Sequence, residues 1–553
     1  MKVHSIKEQR ESAESFILRA GEFEQQGSSV DEYAVLIEGL RAHYDNYELY
    51  FMLGLYYRYR NADQAFLCFE NALHYCDEPE DEKVIQDAIS DVRDRAFVRN
   101  TSIVIVSYND AELCKECLNA IRRYCQEDSY EVIIVDNAST DEELRSFLRE
   151  KCDSDHHIKL IQNEKNEGFP AGCNKGLLAA NPENDVFFLN NDAILMPNSL
   201  FWLKMGLYSD KRNGAAGAVT NCAPSQEVSM ESIEPYLREA PMIESRPLES
   251  VSGNIIKRDD MFRVDDNPTQ RDHRWWRTIS LETALETAKS YAKDHNVPMW
   301  NPIEVRCRLT GFALLVKREA LGSVLMNGGQ AIFDERFSPG YFEDDDLGIR
   351  LCLAGWRQIL CHNAFIYHHG GSGFDKNDAM ERSREKFTEK WGFDIWNYTL
   401  PEDDKITSLM RAISEKDLNC EGVNSDFPGQ SSSSAAAGSN PEKKIRLYNR
   451  VLRILDINAG MGTTLSAIKY QMPDSYTAGI TNADVFAGLS KYMVNDMVSG
   501  DPELVTFPWP EHSFDYIIVG DVAARAANPE QLLRKLRMYL KVDGRIINTI
   551  TET

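Results

Sequence analysis

Between Thr101 and Leu189 short β-branched or aromatic runs alternate with longer helical stretches, and this alternation constrains the fold more than any other feature of the chain. The runs are TSIVIVS (Thr101–Ser107), EVIIV (Glu131–Val135), Ile158–Ile161 and VFFL (Val186–Leu189). Helical periodicity occupies Ala111–Gln126, Asp141–Lys151 and about 171–180 between them. Strands separated by helices of this length predict βαβ units and a mostly parallel sheet. Such sheets bind ligands beyond the carboxyl ends of their strands. Tyr108-Asn109 stands there after the first run, Asp136-Asn137 after the second, and Asn190-Asn191-Asp192 after the fourth.

The remainder of the 553 residues leaves room for further domains. Residues 1–98 read as helical, with no proline before Pro79. Leu53-Gly54, Tyr57, Ala65, Phe69 and Ala72 fall on a helix–turn–helix pattern resembling a tetratricopeptide repeat, the small Gly54 and Ala65 allowing close helix approach. A plain helical hairpin supporting the next domain and a peptide-binding groove both fit that pattern. Residues 225–300 are irregular, charged, and carry Trp275, Trp276 and Trp300. Order returns at Leu309–Val316, Phe337–Ala354 and Ile359–His369, followed by a helical stretch Ala379–Gly392. Residues 401–443, with the small-residue tract Gln430–Asn440, read as a linker. From 444 to 553, Arg453–Ile457, Tyr476–Ile480, Phe514–Val519 and Arg545–Ile550 form a second α/β pattern.

Asp and Glu number 87 against 61 Lys and Arg, a net charge of −26. That field opposes nucleic acid and anionic lipid as partners, while a small anion screened by a metal or by local amides remains compatible. No run is apolar enough for a transmembrane helix and the start has no signal-type stretch. Twelve scattered cysteines then point to reduced thiols and a cytoplasmic setting. Cys114 and Cys117 have CxxC spacing, but on an amphipathic helix without a second pair they read as packing residues.

Four features carry chemistry. Asp136, ending a buried strand in VDNAST, could accept the imide N–H of uracil or thymine, or merely form a turn. NEGFPAGCNKG spaces Gly168, Gly172 and Gly176 four apart, which suits backbone approach to a ribose or diphosphate and equally suits tight packing. Asn190-Asn191-Asp192 offers one carboxylate and amides to a hard divalent cation, or an Asx turn. Finally, Tyr341-Phe342-Glu343-Asp344-Asp345-Asp346-Leu347 precedes Arg350, Trp356 and His368-His369-Gly370-Gly371-Ser372. Four adjacent carboxylates raise at least one pKa among themselves, although a solvated helix start would also hold acids.

In order, SIVIVSYN, VDNASTD, NEGFPAGCNKG, FLNNDA, TGFALLVKREAL, YFEDDDLGIRLCLAGW, IYHHGGS and EKWG resemble family 2 inverting glycosyltransferases of the GT-A fold, nearest the bacterial rhamnosyl- and galactofuranosyltransferases. The resemblance spans about residues 100–395 and implies an α/β, Rossmann-like GT-A domain over 99–400. It implies that Asp136 holds the base and that Asp192 binds Mn²⁺ or Mg²⁺, with Asn190 departing from the first Asp of the DxD motif. Asp344 is implied as general base beside Glu343. His368 is implied as a further metal ligand, with His369 its substitute if the register slips by one. Tyr108, Asn109, Asn137, Gly168, Phe169, Gly172, Asn174, Asn190 and Asn191 are expected around the nucleotide sugar. Gly311, Asp345, Asp346 and Trp356 are expected in the sugar or acceptor pocket. The activity implied is inverting, metal-dependent transfer from a UDP- or dTDP-sugar to a hydroxyl of a surface glycan or a protein such as flagellin. Self-association through the helical stretch or the tail is compatible with it.

Val451–Leu465 resembles the first motif of Rossmann-like S-adenosylmethionine-dependent methyltransferases, and FDYIIVGDV and Pro529–Ile550 resemble later elements. Asn458 replaces the first loop glycine, Thr481 the acidic ribose ligand, and Ala523-Ala524-Arg525 the usual LEH phrase. These departures favour a degenerate or truncated domain over one that binds S-adenosylmethionine. Two alternatives are a bifunctional glycosyltransferase–methyltransferase and a repeat-containing adaptor with an inactive transferase domain.

Overall fold

The computed structural model describes residues 11–223, 225–237, 276, 279–370, 376–421 and 451–548. By packing, the chain divides into two compact units. The first comprises Met1–Pro302, Leu309–Leu347 and Ile359–Lys386; the second comprises Ile303–Arg308, Gly348–Gln358 and Phe387–Thr553.

The first unit opens with five helices, Ala13–Gln26, Ser29–Ala42, Tyr47–Tyr57, Ala62–Tyr75 and Pro79–Arg93. Ser12, Asn46 and Asn61 cap three of them with side-chain oxygens on orphan N–H groups, and Gly27 ends the first in the left-handed region. Gly54 lets two helices meet: a Cβ there would lie 2.3 Å from the Phe69 ring. These helices belong to the same compact unit as the following sheet. All nine residues of the helix Ser199–Leu207 are buried, because one side faces the sheet and the other the helix Ala62–Tyr75. Asn198 joins the two layers. Its amide donates to the Tyr44 carbonyl at 3.0 Å and to the Tyr50 hydroxyl at 2.9 Å, and its Oδ1 accepts from the Tyr75 hydroxyl at 2.9 Å.

Up to residue 370 the strands are β1 (Thr101–Ser107), β2 (Tyr130–Asp136), β3 (Ile158–Gln162), β4 (Asp185–Leu189), β5 (Ala193–Ile194), β6 (Asn213–Val219), β7 (Ile303–Arg306), β8 (Ala313–Val316), β9 (Arg357–Phe365) and β10 (Tyr367–His368). The first unit's sheet runs β3-β2-β1-β4-β8-β6-β9. The expected parallel ladder holds for β3 through β4, with Ser107 opposite Asp136, but β8 pairs antiparallel with both β4 and β6. The sheet is therefore mixed. β1 is buried at all seven positions, as a strand covered on both faces must be. Of the expected tryptophans, Trp276 is buried against Tyr367, Trp300 is exposed against Tyr33, and Trp275 lies outside the described residues.

In the second unit β11 (Arg453–Asp456), β12 (Tyr476–Thr481), β13 (Asp496–Ser499), β14 (Phe514–Ile518) and β15 (Leu540–Ile547) form a parallel sheet ordered β13-β12-β11-β14-β15. The sequence pattern misses β13, a short edge strand with a mostly half-exposed polar pattern. It also places the linker too early, since Asp403–Glu421 is a helix packed on β14 and β15. The tract Gln430–Asn440 lies outside the described residues. Among the described residues, no helix is long and apolar enough to cross a membrane.

Candidate active site

The carboxyl ends of β1, β2 and β4 carry the residues the sequence singled out. Asp136 ends β2, buried, with Oδ1 accepting the Ser139 amide at 2.9 Å. Tyr108 follows β1 half-buried. Asn109 is in the left-handed region, φ 59°, and its side-chain oxygen accepts the amides of Thr140 at 2.9 Å and Asp141 at 3.1 Å. The side chain expected to touch nucleotide thus ties the β1 and β2 loops together. Asn137 behaves alike: its amide donates to Asn166 Oδ1 and the Gly168 carbonyl, and its oxygen accepts from Asn163 and from the Glu167 amide.

The NEGFPAGCNKG phrase divides between two jobs. Gly168 takes φ 87° where the Phe169 amide donates to the Pro339 carbonyl, and a Cβ there would sit 2.9 Å from the Pro339 Cα. Gly172 and Gly176 lie on the helix Phe169–Ala179, facing β1; added Cβ atoms would lie 2.8 Å from Val106 and 2.3 Å from Val104. They are helix–sheet packing glycines, which corrects the expected nucleotide contact for Gly172. Asn174 is corrected too. It is buried and holds the 332–335 segment, accepting the Ile332 and Phe333 amides at 3.0 Å and donating to the Phe333 carbonyl at 2.9 Å. Phe169 packs its ring against Phe333, 6.1 Å between centroids.

Asn190-Asn191-Asp192 forms the loop between β4 and β5, and β5 pairs with β10, so that His368 lies opposite Ala193. Asp192 is buried; its Oδ2 accepts the Gly370 amide at 3.1 Å and its Oδ1 lies 3.4 Å from His368 Nε2. Burial works against its charge, but His368 and His369 outweigh it and lower its pKa. His368 Nδ1 lies 2.5 Å from the Cys222 carbonyl, an acceptor only, so that nitrogen carries a proton and Nε2 is turned toward Asp192. The Asn190 amide nitrogen lies 3.5 Å from that Nε2. His369 instead places Nδ1 at 3.2 Å from the Tyr367 hydroxyl. Asp110, which sequence reasoning missed, joins the group: burial raises its pKa, the Asp192 charge adds to this, and His369 opposes it. Only its N-cap position, with φ 65°, was visible locally, and any N-cap Asp looks the same in sequence.

The four acids of 343–346 start the helix Glu343–Leu353, entered through Tyr341 and Phe342, both left-handed at φ 73° and 70°. Two consecutive aromatic residues in that region are strained, a state that persists where the surroundings over-determine it. Their effect is to sort the acids. Glu343, Asp345 and Asp346 are buried, and Asp344 alone is half-exposed. Its Oδ2 accepts the Gly311 amide and its Oδ1 the Asp345 amide, both at 2.8 Å. Glu343 is raised well above the ordinary carboxyl range by burial and then by the Asp344 charge. Its Oε2 has no hydrogen-bond partner among the described residues. Its side chain is buried where that of Asp344 reaches solvent. Trp356 belongs to the second unit.

One short segment touches both acidic centres. Gly311 donates to Asp344, while Phe312 stacks on His368, 4.9 Å between centroids at 24°, and accepts the Asn190 amide at 2.8 Å. Two residues beyond Asp110 and Asp192, Glu112 and Ile194 begin the lining of a cleft of about 230 Å³ that extends to Arg123, Tyr124 and Lys289.

Residues 102–271 match the Glycosyl transferase family 2 model. The chain is 26% identical over 287 residues to N-acetylglucosaminyl-diphospho-decaprenol L-rhamnosyltransferase of Mycobacterium tuberculosis, covering 50% of this chain and 78% of that protein. Among solved structures it resembles the mannosyltransferase PcManGT from Pyrobaculum calidifontis in complex with GDP-Man and Mn²⁺, at 17% identity and TM-score 0.30, over 49% of this chain and 57% of that one. It also resembles GalNAc-T7 with UDP, GalNAc and Mn²⁺, at 13% identity and TM-score 0.36, over 54% and 49%. The chain thus spans about half the length of these two solved chains.

Proposed function

We propose that the chain is a glycosyltransferase that moves a sugar with inversion from a UDP- or dTDP-sugar to an acceptor hydroxyl, a reading supported by the match of residues 102–271 to the Glycosyl transferase family 2 model and by the mixed sheet. The observation that carries the reading is the 311–312 segment, which connects a single half-exposed carboxylate to a buried Asp–His pair.

The Asp–His pair fits a divalent cation. Asp192 Oδ1 and His368 Nε2, 3.4 Å apart, would hold it. The Cys222 carbonyl orients the imidazole so that Nε2 faces Asp192. One carboxylate oxygen with one imidazole suits Mn²⁺ better than Mg²⁺. When bound, such an ion would supply charge neutralisation for the departing nucleoside diphosphate.

Asp344 serves as general base. Two backbone amides fix its plane, and each oxygen keeps a lone pair. It takes the acceptor O–H proton as that oxygen bonds to the anomeric carbon and the bond to the diphosphate breaks, so the configuration inverts in one displacement. Asp136 is proposed to receive the base. Tyr108, Asn191, Gly168 and Phe169 line the nucleotide side, and Asn109 and Asn137 shape its loops. The M. tuberculosis relative supports a deoxyhexosyl group such as L-rhamnosyl as the sugar moved, and a glycan hydroxyl as acceptor.

The test is metal-dependent release of nucleoside diphosphate from a panel of nucleotide sugars, comparing intact chain with Asp344→Asn. The variant should lose about 10²–10⁴-fold in kcat with little change in KM. Unchanged kcat would remove Asp344 from the mechanism.

A further inference from the structure

The second unit's sheet order, β13-β12-β11-β14-β15, reverses direction between β11 and β14. In an open parallel sheet the crevice beyond the carboxyl ends of the strands at such a switch point is where ligands bind. Here the β11 carboxyl end leads through Asp456 into the loop Ile457–Gly462 and the helix Thr463–Gln471. That is the architecture of a nucleotide crevice, with a glycine-bearing turn opening a helix.

We infer that this crevice is an internal binding site whose ligand is the chain's own segment Phe393–Lys405, which takes the place of a nucleoside cofactor. Four contacts carry the inference, each at a point where a cofactor would need room. Lys405, 2% exposed, sends its ammonium to both Asp456 oxygens at 3.3 and 3.0 Å and to the Asn458 carbonyl at 2.8 Å. The Tyr398 ring lies where an approaching group would meet the turn, 3.1 Å from the position of a Gly460 Cβ. The first two hydroxyls of the helix are spent on the segment: Thr463 donates to the Tyr398 carbonyl at 2.6 Å, and Thr464 accepts the Glu402 amide at 3.0 Å. After β12, Phe486 meets the rings of Phe393 and Tyr398 edge-on at 4.9 and 4.6 Å, so an aromatic cluster fills the space beside the turn.

Asp456 is wholly buried, and a buried carboxylate without a cation is costly. Lys405 supplies that cation from within the fold, assisted by Glu402 at 2.7 Å on its other side. At the end of β12, where a ribose would seek a carboxylate, stands Thr481, buried, its hydroxyl without a partner among the described residues. The donor set therefore suits the peptide segment and does not suit S-adenosylmethionine, whose own cationic groups would compete with Lys405 for one buried carboxylate. The closed crevice makes the second unit a self-sealed structural domain.

The test uses the full chain. Calorimetric titration and thermal melting with S-adenosylmethionine and with S-adenosylhomocysteine should show no saturable heat and no shift, a Kd weaker than about 1 mM. Lys405→Met should lower the melting midpoint of the second unit by on the order of 10 °C, because it strands Asp456. Lys405→Met/Asp456→Asn should recover at least half of that loss. Saturable binding of either nucleoside to the unaltered chain would overturn the inference, even if the variants fail to fold. A Lys405→Met chain that melts with the parent would overturn it as well.

Discussion

Replacing Gly176 by alanine separates the two jobs a glycine in NEGFPAGCNKG could have. If it faces a diphosphate, alanine should weaken substrate binding and leave stability nearly intact. The structure assigns it to packing, with the new Cβ 2.3 Å from Val104 Cγ1 in the buried β1. Contact at that distance requires the helix Phe169–Ala179 or the valine to move by more than an ångström, and overpacking of this kind costs about 1–3 kcal/mol. Helix propensity returns up to about 1 kcal/mol. The net loss should be about 1–2 kcal/mol, which lowers the first unit's apparent melting midpoint by about 2–8 °C. Val104→Ala removes the clashing methyl, so the double variant should be more stable than the sum of the single effects by about 1 kcal/mol or more. Scanning calorimetry on the four chains measures this, with KM for the nucleotide sugar expected to stay within about twofold because no ligand-facing group changes. A raised KM with an unaltered midpoint, or strict additivity, would refute the packing assignment.

Other outcomes follow from the same packing and electrostatics. Glu343 binds its proton more tightly folded than unfolded, so its contribution is full below pH about 4.5 and is lost as pH rises toward its elevated folded value; Glu343→Gln should flatten that decline in melts taken across pH. Chelation should abolish activity and Mn²⁺ should restore it, while His368→Ala should raise the Mn²⁺ concentration for half-activity about 10–100-fold, as read from metal titrations of turnover. Asn198→Ala takes the acceptor from the half-buried Tyr75 hydroxyl and one of two partners from the buried Tyr50 hydroxyl, costing about 2–3 kcal/mol. Limited proteolysis should then release the amino-terminal helices before the sheet is cut.

Periodicity and composition determined much of this protein. The β-branched runs could only be short strands, the helices between them forced the parallel half of the sheet, and Asp136, Asp192, Asp344 and His368 were visible as polar residues placed just beyond hydrophobic runs. The antiparallel β8 was not visible, since a buried run carries no mark of its direction. Nor was the helix Asp403–Glu421, whose buried Lys405 looks in sequence like any surface lysine. Tertiary structure alone decided which of four neighbouring carboxylates stays accessible, which nitrogen of His368 faces Asp192, that Asp110 joins Asp192, and that Gly172, Gly176 and Asn174 serve packing. The reason is range. Residue type and spacing encode what lies within one turn or one strand, whereas burial, tautomer and ionisation depend on groups brought together from far along the chain, as the Cys222 carbonyl and His368 are.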